Sequence, residues 1–299
     1  MSEFFTYLAE DKKLGVSAMQ GYKAVINSTI KLCTKRDVCN NFYLHSQFRS
    51  YKNRRSMFKN DIPKWNLNLV LNSLTKAPYE PMLKSSLKHL TWKTTFLTAF
   101  ATAARVSELA ALSRKRVAHN KDWSHMTLTT NKNFIAKNQD LTIDSSPRRF
   151  DIPHLYDFAG PDLPDRLLCP VRAMRFYLHK TNSLRTKEKK ALFISHSKHK
   201  KGDITSNTIS AWIKNVIKLA YKNAQDEDLS LAKVKAHEVR ALAASVAWSH
   251  NLALKDINRA CYWRGHSTFT NFYLRDITMH QNDELHLPNV IAASFKITK

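Results

Sequence analysis

The stretch Ala104-Arg105-Val106-Ser107-Glu108-Leu109 sets two opposite charges three residues apart near the end of a run, Leu83 to Leu112, whose apolar residues recur with a helical period. If the helix continues through it, an advance of about 100° per residue puts Arg105 and Glu108 on the side of Leu97, Ala101 and Leu112. Charges on an apolar stripe persist only when paired. The stretch therefore predicts a structural Arg-Glu salt bridge or an arginine held rigidly to grip a phosphate. A break near Ser107, acting as an N-cap, would weaken the periodicity argument.

Two later stretches carry similar double readings. Lys235-Ala236-His237-Glu238-Val239-Arg240 opens a helix whose apolar stripe is Val239, Leu242, Ala243 and Val246. His237 and Arg240 are three apart, neighbours on the face away from that stripe, and can converge on one ligand. Taken alone, the pattern reads as a solvated polar face. Downstream, Cys261 to Asp276 reads CYWRGHSTFTNFYLRD, with Phe269, Phe272 and Tyr273 at i, i+3, i+4 spacing. On spacing alone this is an aromatic core stripe with Tyr273 as a packing residue.

A length of 299 residues with 43% apolar and 24% charged side chains suits a folded protein of two unequal domains. Residues 1–60 read as a small helical unit, with Tyr7, Leu8, Leu14, Tyr22, Val25, Ile26, Ile30 and Leu32 at helical intervals. The basic stretch Arg49 to Lys59, containing Arg54-Arg55, leads through Ile62-Pro63 to Trp65 and reads as the linker to a second domain at 61–299. There, helices are expected over Trp65 to Leu74, Leu83 to Leu112, Pro170 to Leu178, Thr208 to Tyr221, Ala236 to His250 and Leu254 to Tyr262. Met126 to Thr130 and Phe150 to Ile152 are β-prone around a turn at Asn131-Lys132-Asn133, and Ala191 to Ile194 is a short strand candidate. The expected class is mainly α with a small antiparallel sheet.

Charge narrows the partner. Lys and Arg number 48 against 24 Asp and Glu, a formal +24. An excess spread along the whole chain favours nucleic acid over a membrane surface. The four cysteines form no CxxC pair, the thirteen histidines no HxxxH ladder, and there is neither a signal peptide nor an apolar run of membrane-spanning length. A reducing, soluble compartment and no metal site are expected. Basic runs at Lys187 to Lys190 with Arg185, and at Lys198 to Lys201, read as surface loops with the composition of nuclear import signals. No RNP-type aromatic motif points to RNA.

Taken in order, Arg105 within RxSEL, a β segment bearing lysine, the HxxR of His237 and Arg240, a Trp or His, and finally Tyr273, 33 residues after Arg240, resemble the catalytic domain of tyrosine recombinases. The resemblance covers about residues 65 to 280. The N-terminal helices look like the last part of that family's core DNA-binding domain, and since Met1 stands close to helical sequence, the start of that domain is expected to be missing. Phe134-Ile135-Ala136-Lys137, Cys169-Pro170-Val171-Arg172-Ala173, Lys235 to Ala241, and Ser267-Thr268-Phe269 with Phe272 to Asp276 are similar to recombinases of DIRS-type retrotransposons, with crypton-type recombinases as close rivals. Gly265-His266 lies seven residues before Tyr273, nearer than in many bacterial members. Trp263, ten before, matches the family's His-or-Trp position better, with His266 second. Lys132 and Lys137 both lie in the hairpin, and the FxxK context favours Lys137.

The resemblance implies a chemistry. Tyr273 attacks a phosphate of double-stranded DNA and forms a 3′-phosphotyrosyl link, with neither a metal nor a nucleotide cofactor. Arg105 and Arg240 clamp the phosphate, His237 hydrogen-bonds it or moves a proton to or from Tyr273, and Lys137 protonates the leaving oxygen. Trp263 packs beside the phosphate, and Glu108 orients Arg105 or supports His237. Arg54, Arg55 and Lys132 are expected to contact DNA. The family further implies a homotetramer on two DNA sites, with Leu285 to Phe295 exchanged between neighbours, and integration of a mobile element in a nucleus. A domesticated, inactive DNA-binding protein and a type IB topoisomerase are the alternatives.

Overall fold

A computed structural model describes residues 1–38, 41–54, 65–137, 139, 146–155, 166–185, 190–196, 204–224, 234–263, 268–275 and 291, without the side chains of Arg54 and Asn271. The chain forms two compact units, residues 1–60 and 61–299.

The first unit contains α1 (Ser2–Glu10), α2 (Val16–Thr34) and α3 (Phe42–Arg54). Phe5 and Leu8 of α1, Met19 of α2, and Leu44, Phe48 and Tyr51 of α3 form its core. The i, i+4, i+7 spacing in α3 aims one narrow stripe inward. Burying each such side chain contributes about 1.5–3 kcal/mol. Phe5 and Phe48 meet edge to face at 4.9 Å between centroids. Beside them Gln47 donates to the Tyr51 hydroxyl at 2.7 Å and accepts from Ser2 at 2.9 Å, which ties α1 to α3.

The second unit is built around α5 (Leu87–Thr102), which follows α4 (Leu67–Leu74). Every residue of α5 from Leu90 to Thr102 is buried, so beyond its first turn this helix has no solvent face. Three of its five threonines fit because their hydroxyls bond back to carbonyls one turn earlier: Thr91 to Leu87 at 2.6 Å, Thr94 to Leu90 at 2.8 Å, and Thr102 to Thr98 at 2.7 Å, whereas the buried Thr95 and Thr98 hydroxyls have no partner among the described residues. Against α5 pack α7 (Pro170–Thr181), α8 (Ser206–Asn223) and α9 (Glu238–Ser249). Lys93 of α5 is fully buried, and its ammonium meets the Glu80 carboxylate at 2.6 Å, while Arg172 of α7 reaches the same oxygen at 2.7 Å. Burial pulls Lys93 down to about 8, so it remains the cation of this pair at neutral pH.

The sheet is an antiparallel meander of β1 (Leu112–His119), β2 (His125–Thr130) and β3 (Arg149–Pro153), in the order β1-β2-β3. Leu128 faces Phe150 across one pair, and His119 faces Met126 across the other. Met126, Leu128 and Thr130 alternate inward with the strand period. The architecture is thus mainly helical with one small antiparallel sheet.

The structure departs from the sequence expectations at several places. The helix expected over Leu83 to Leu112 ends at Thr102. After a break it resumes as α6 (Val106–Ala110), and Leu112 already belongs to β1. The strand expected over Ala191 to Ile194 shrinks to a bridge between Ala191 and Ser113, flanked by Leu192 N–H to Leu112 carbonyl at 2.7 Å. Arg185, read as part of a surface loop, instead donates to the Ala191 carbonyl at 2.8 Å and braces that bridge. Lys187 to Lys189 and Lys198 to Lys201 lie outside the described residues, as do residues 55–64 of the expected linker.

Candidate active site

The break between α5 and α6 creates the first half of the site. Ala103 adopts a left-handed conformation, φ 47°, and stops α5. Arg105 then takes an extended conformation as the N-cap of α6, the place the sequence reading gave to Ser107. Arg105 and Glu108 meet through the cap, not along a continuous stripe. Glu108, fully buried, accepts from the Arg105 backbone N–H at 2.7 Å with one carboxylate oxygen and from its guanidinium at 3.0 Å with the other. An N3 glutamate reaching back to the N-cap N–H is the carboxylate half of a capping box.

The second half comes from α9. Arg240 has its Nη1 3.6 Å from the Glu108 oxygen that also binds the Arg105 N–H, so one carboxylate serves two guanidiniums. Arg240 also donates to the Ala103 carbonyl at 2.5 Å and to the carbonyl of Cys261, just past α10 (Leu254–Ala260). It therefore joins the α5–α6 break to the end of α10. Its expected place on a solvated polar face is wrong: only 3% of its side chain is exposed. Ion pairing lets a charge sit on a buried helix face. His237, at the N-cap of α9, is exposed.

Aromatic rings cover this charge cluster. The Arg240 guanidinium lies 5.0 Å from the Trp263 ring centroid and 5.7 Å from that of Tyr273. The two rings are 4.5 Å apart, and Trp263 stacks on Phe269 at 5.9 Å. Phe269 to Tyr273 form a single π-type turn closed by Leu274 N–H to the Phe269 carbonyl at 2.8 Å. The wider turn separates the aromatic trio: Phe269 is buried, Tyr273 half-buried and Phe272 exposed. Ser245 of α9 fixes the backbone here, donating to the Tyr273 carbonyl at 3.3 Å and accepting from the Arg275 N–H at 2.8 Å. One helix thus carries both Arg240 and the anchor of Tyr273.

Two guanidiniums share one carboxylate, leaving the cluster net positive. The Arg240 Nε and the Trp263 indole N–H are buried with no acceptor among the described residues. Such donors complement an anion with several oxygens. Nearby, burial pushes the Cys261 thiol up to about 11, with Arg240 opposing and Glu108 reinforcing the shift, so it is not a thiolate nucleophile at neutral pH.

Arg105, Glu108, Arg240, Trp263 and Tyr273 are therefore brought together. Lys132 and Lys137 are exposed in the β2–β3 loop. Lys137 stands in a turn closed by Gln139 N–H to the Ala136 carbonyl at 2.9 Å, and the Gln139 amide reaches across to the Ser146 carbonyl at 2.9 Å. Arg55, His266 and the Arg54 side chain lie outside the described residues. The sequence reading missed Ser245, whose partners Tyr273 and Arg275 lie 28 and 30 residues away.

No protein-family model and no curated protein matches this chain by sequence. Among solved structures it is similar to a XerA recombinase, at 15% identity over 94% of this chain and 82% of that one, with a TM-score of 0.47. Among the described residues, no helix is long and apolar enough to cross a membrane.

Proposed function

We propose that this chain cuts and rejoins double-stranded DNA in the manner of a tyrosine recombinase, with Tyr273 as the nucleophile. The observation that carries the reading is the convergence of Arg105 and Arg240 on buried Glu108, with Tyr273 and Trp263 stacked beside the Arg240 guanidinium. The formal charge of +24 supplies the general attraction to a polyanion.

In this reading the Tyr273 oxygen forms a bond to the scissile phosphorus while the bond from phosphorus to the 5′ oxygen breaks. The arginine forks hold the non-bridging oxygens, and the Trp263 N–H and Arg240 Nε add donors as charge develops there. His237 takes the phenolic proton or hydrogen-bonds the phosphate, and the Lys137 ammonium gives a proton to the departing 5′ oxygen. The phosphotyrosyl link conserves the bond energy, so a free 5′ hydroxyl reverses the step and rejoins the strand. The finer assignment is an integrase of a DIRS-type mobile element, acting in the nucleus as a tetramer on two DNA sites, with Arg54, Arg55 and Lys132 on the DNA backbone. The exchanged segment assigned to Leu285 to Phe295 falls almost wholly outside the described residues.

Incubation with a nicked suicide substrate, from which the cut fragment diffuses away, tests the proposal. A covalent protein–DNA band is expected from the wild-type chain and none from Tyr273→Phe. DNA binding without any adduct from the wild-type chain would favour the non-enzymatic reading, and relaxation of random plasmid by a monomer would favour a topoisomerase.

A further inference from the structure

Between the arginine cluster and the β2–β3 loop stands Tyr262, which neither the charge pattern nor the resemblance singles out. It follows Cys261, whose carbonyl Arg240 binds, and precedes Trp263. Its backbone is left-handed, φ 52°, an uncommon conformation for a bulky side chain and one that persists only where surrounding contacts over-determine it. Those contacts lie on the sheet. The Tyr262 hydroxyl accepts from the Arg149 N–H at 3.0 Å and donates to the Arg149 carbonyl at 2.8 Å, so it grips both backbone groups of the first residue of β3. The Arg148 guanidinium stacks over its ring at 4.1 Å, and Phe150 meets the ring edge-on at 6.0 Å.

Arg148 is also the foot of the loop that carries Lys137. Its carbonyl accepts from the Thr130 N–H at 2.9 Å and its N–H donates to the Thr130 hydroxyl at 3.0 Å, which closes the loop base. One residue on, Asn131 N–H donates to the Ala111 carbonyl at 2.8 Å, at the end of the short helix that contains Glu108. The loop base is thereby held on two sides: to α6, and through Tyr262 to the segment between Cys261 and Trp263.

We propose that Tyr262 is a positioning residue that sets the Lys137-bearing loop against the arginine cluster, and thereby the delivery of the leaving-group proton. This inference rests on the proposed DNA cleavage reaction. It concerns one step of it: the P–O5′ bond breaks, the electron pair goes to the 5′ oxygen, and that oxygen takes its proton from the Lys137 ammonium. If the leaving oxygen is replaced by sulfur, the departing thiolate, conjugate base of a thiol with a pKa of about 8.5, is a weak enough base to leave without being given a proton as the bond breaks. A defect in proton delivery is then bypassed, whereas a defect in phosphate binding or in the nucleophile is not.

The test compares single-turnover cleavage of an ordinary suicide substrate with the same substrate bearing a 5′-bridging sulfur, for the wild type, Lys137→Ala, Tyr262→Phe and Arg105→Ala. Tyr262→Phe keeps the ring over which Arg148 stacks and removes only the two hydroxyl bonds, and its thermal unfolding midpoint is recorded alongside. Expected are a loss of about 10-fold or more for Tyr262→Phe on the oxygen substrate, recovery to within about 3-fold of wild type on the sulfur substrate, and the same pattern, larger, for Lys137→Ala. Arg105→Ala is expected to stay defective on both. Equal losses for Tyr262→Phe on the two substrates, no loss on either, or a Lys137→Ala defect that sulfur leaves in place would each overturn the inference while leaving the nucleophile assignment standing. Absence of any adduct from the wild-type chain would instead overturn the cleavage reading, and this inference with it.

Discussion

Glu108→Ala is the perturbation that strikes the centre of the site. Its carboxylate is fully buried and lies 3.0 Å from the Arg105 guanidinium and 3.6 Å from that of Arg240. At an effective dielectric near 20, each contact carries about 5 kcal/mol of attraction before desolvation is counted. Arg105, 17% exposed, can recover part of its hydration, but Arg240, 3% exposed, cannot. Removing one partner of such a buried set costs about 3–5 kcal/mol, because the remaining charge is left uncompensated. For a unit of this size that corresponds to a melting point lower by about 6–20 °C. All six tryptophans lie in residues 61–299, so urea unfolding followed by their fluorescence reports on this unit. Adding Arg240→Met to Glu108→Ala should cost less than the sum of the two single changes, by at least about 1 kcal/mol. A single-mutant loss below about 1 kcal/mol, or strict additivity, would refute the shared-carboxylate argument.

The remaining predictions address acid stability, the Trp263 position and DNA affinity. Burial raises the Glu80 pKa, but its bonds to Arg172 and Lys93 outweigh that and hold it below its ordinary 4.5. The folded value is thus below the unfolded one, so the contribution is whole above about pH 4.5 and is lost as pH falls through the folded value. Glu80→Gln should flatten that acid limb in stability measured against pH, and an unchanged limb would contradict the assignment. Trp263→Ala should slow cleavage more than His266→Ala, as measured by adduct formation. The reverse order would move the site position to His266. DNA affinity should fall steeply with salt, and neutralising Arg54, Arg55 or Lys132 should each reduce the log–log slope by about 1. Binding indifferent to salt would contradict phosphate-dominated recognition.

The helices were legible wherever one face is apolar and the period is unbroken, as in α7 and α8, and Met126 to Thr130 was legible by its alternation and β-branched residues. β1 was not, because Arg114-Lys115-Arg116 has the look of a solvated loop although its sheet partner β2 follows closely, and its second contact, at 190–192, lies more than 70 residues away. The α5–α6 break was hidden for a different reason: the left-handed residue that makes it is Ala103, not the glycine or asparagine that announces such a stop. Arg105 and Glu108 stood out as a pair from their spacing. That Arg240 shares their carboxylate was not visible, since amphipathic logic assigns a charged residue to solvent and a third charge from another helix reverses that. Ser245 and Tyr262 carried no sequence signal. Each acts through a backbone group 28 or 113 residues distant.

In the proposed reaction the Tyr273 hydroxyl becomes joined to DNA. Among the described residues that hydroxyl has no hydrogen-bond partner, so Tyr273→Phe should leave the fold intact and isolate the chemistry. The deciding measurement is peptide mapping of the covalent adduct formed on a suicide substrate. A single modified peptide containing Tyr273 is expected, and no adduct from Tyr273→Phe. An adduct that persists in Tyr273→Phe, or one that maps to another residue, would contradict the Tyr273 assignment.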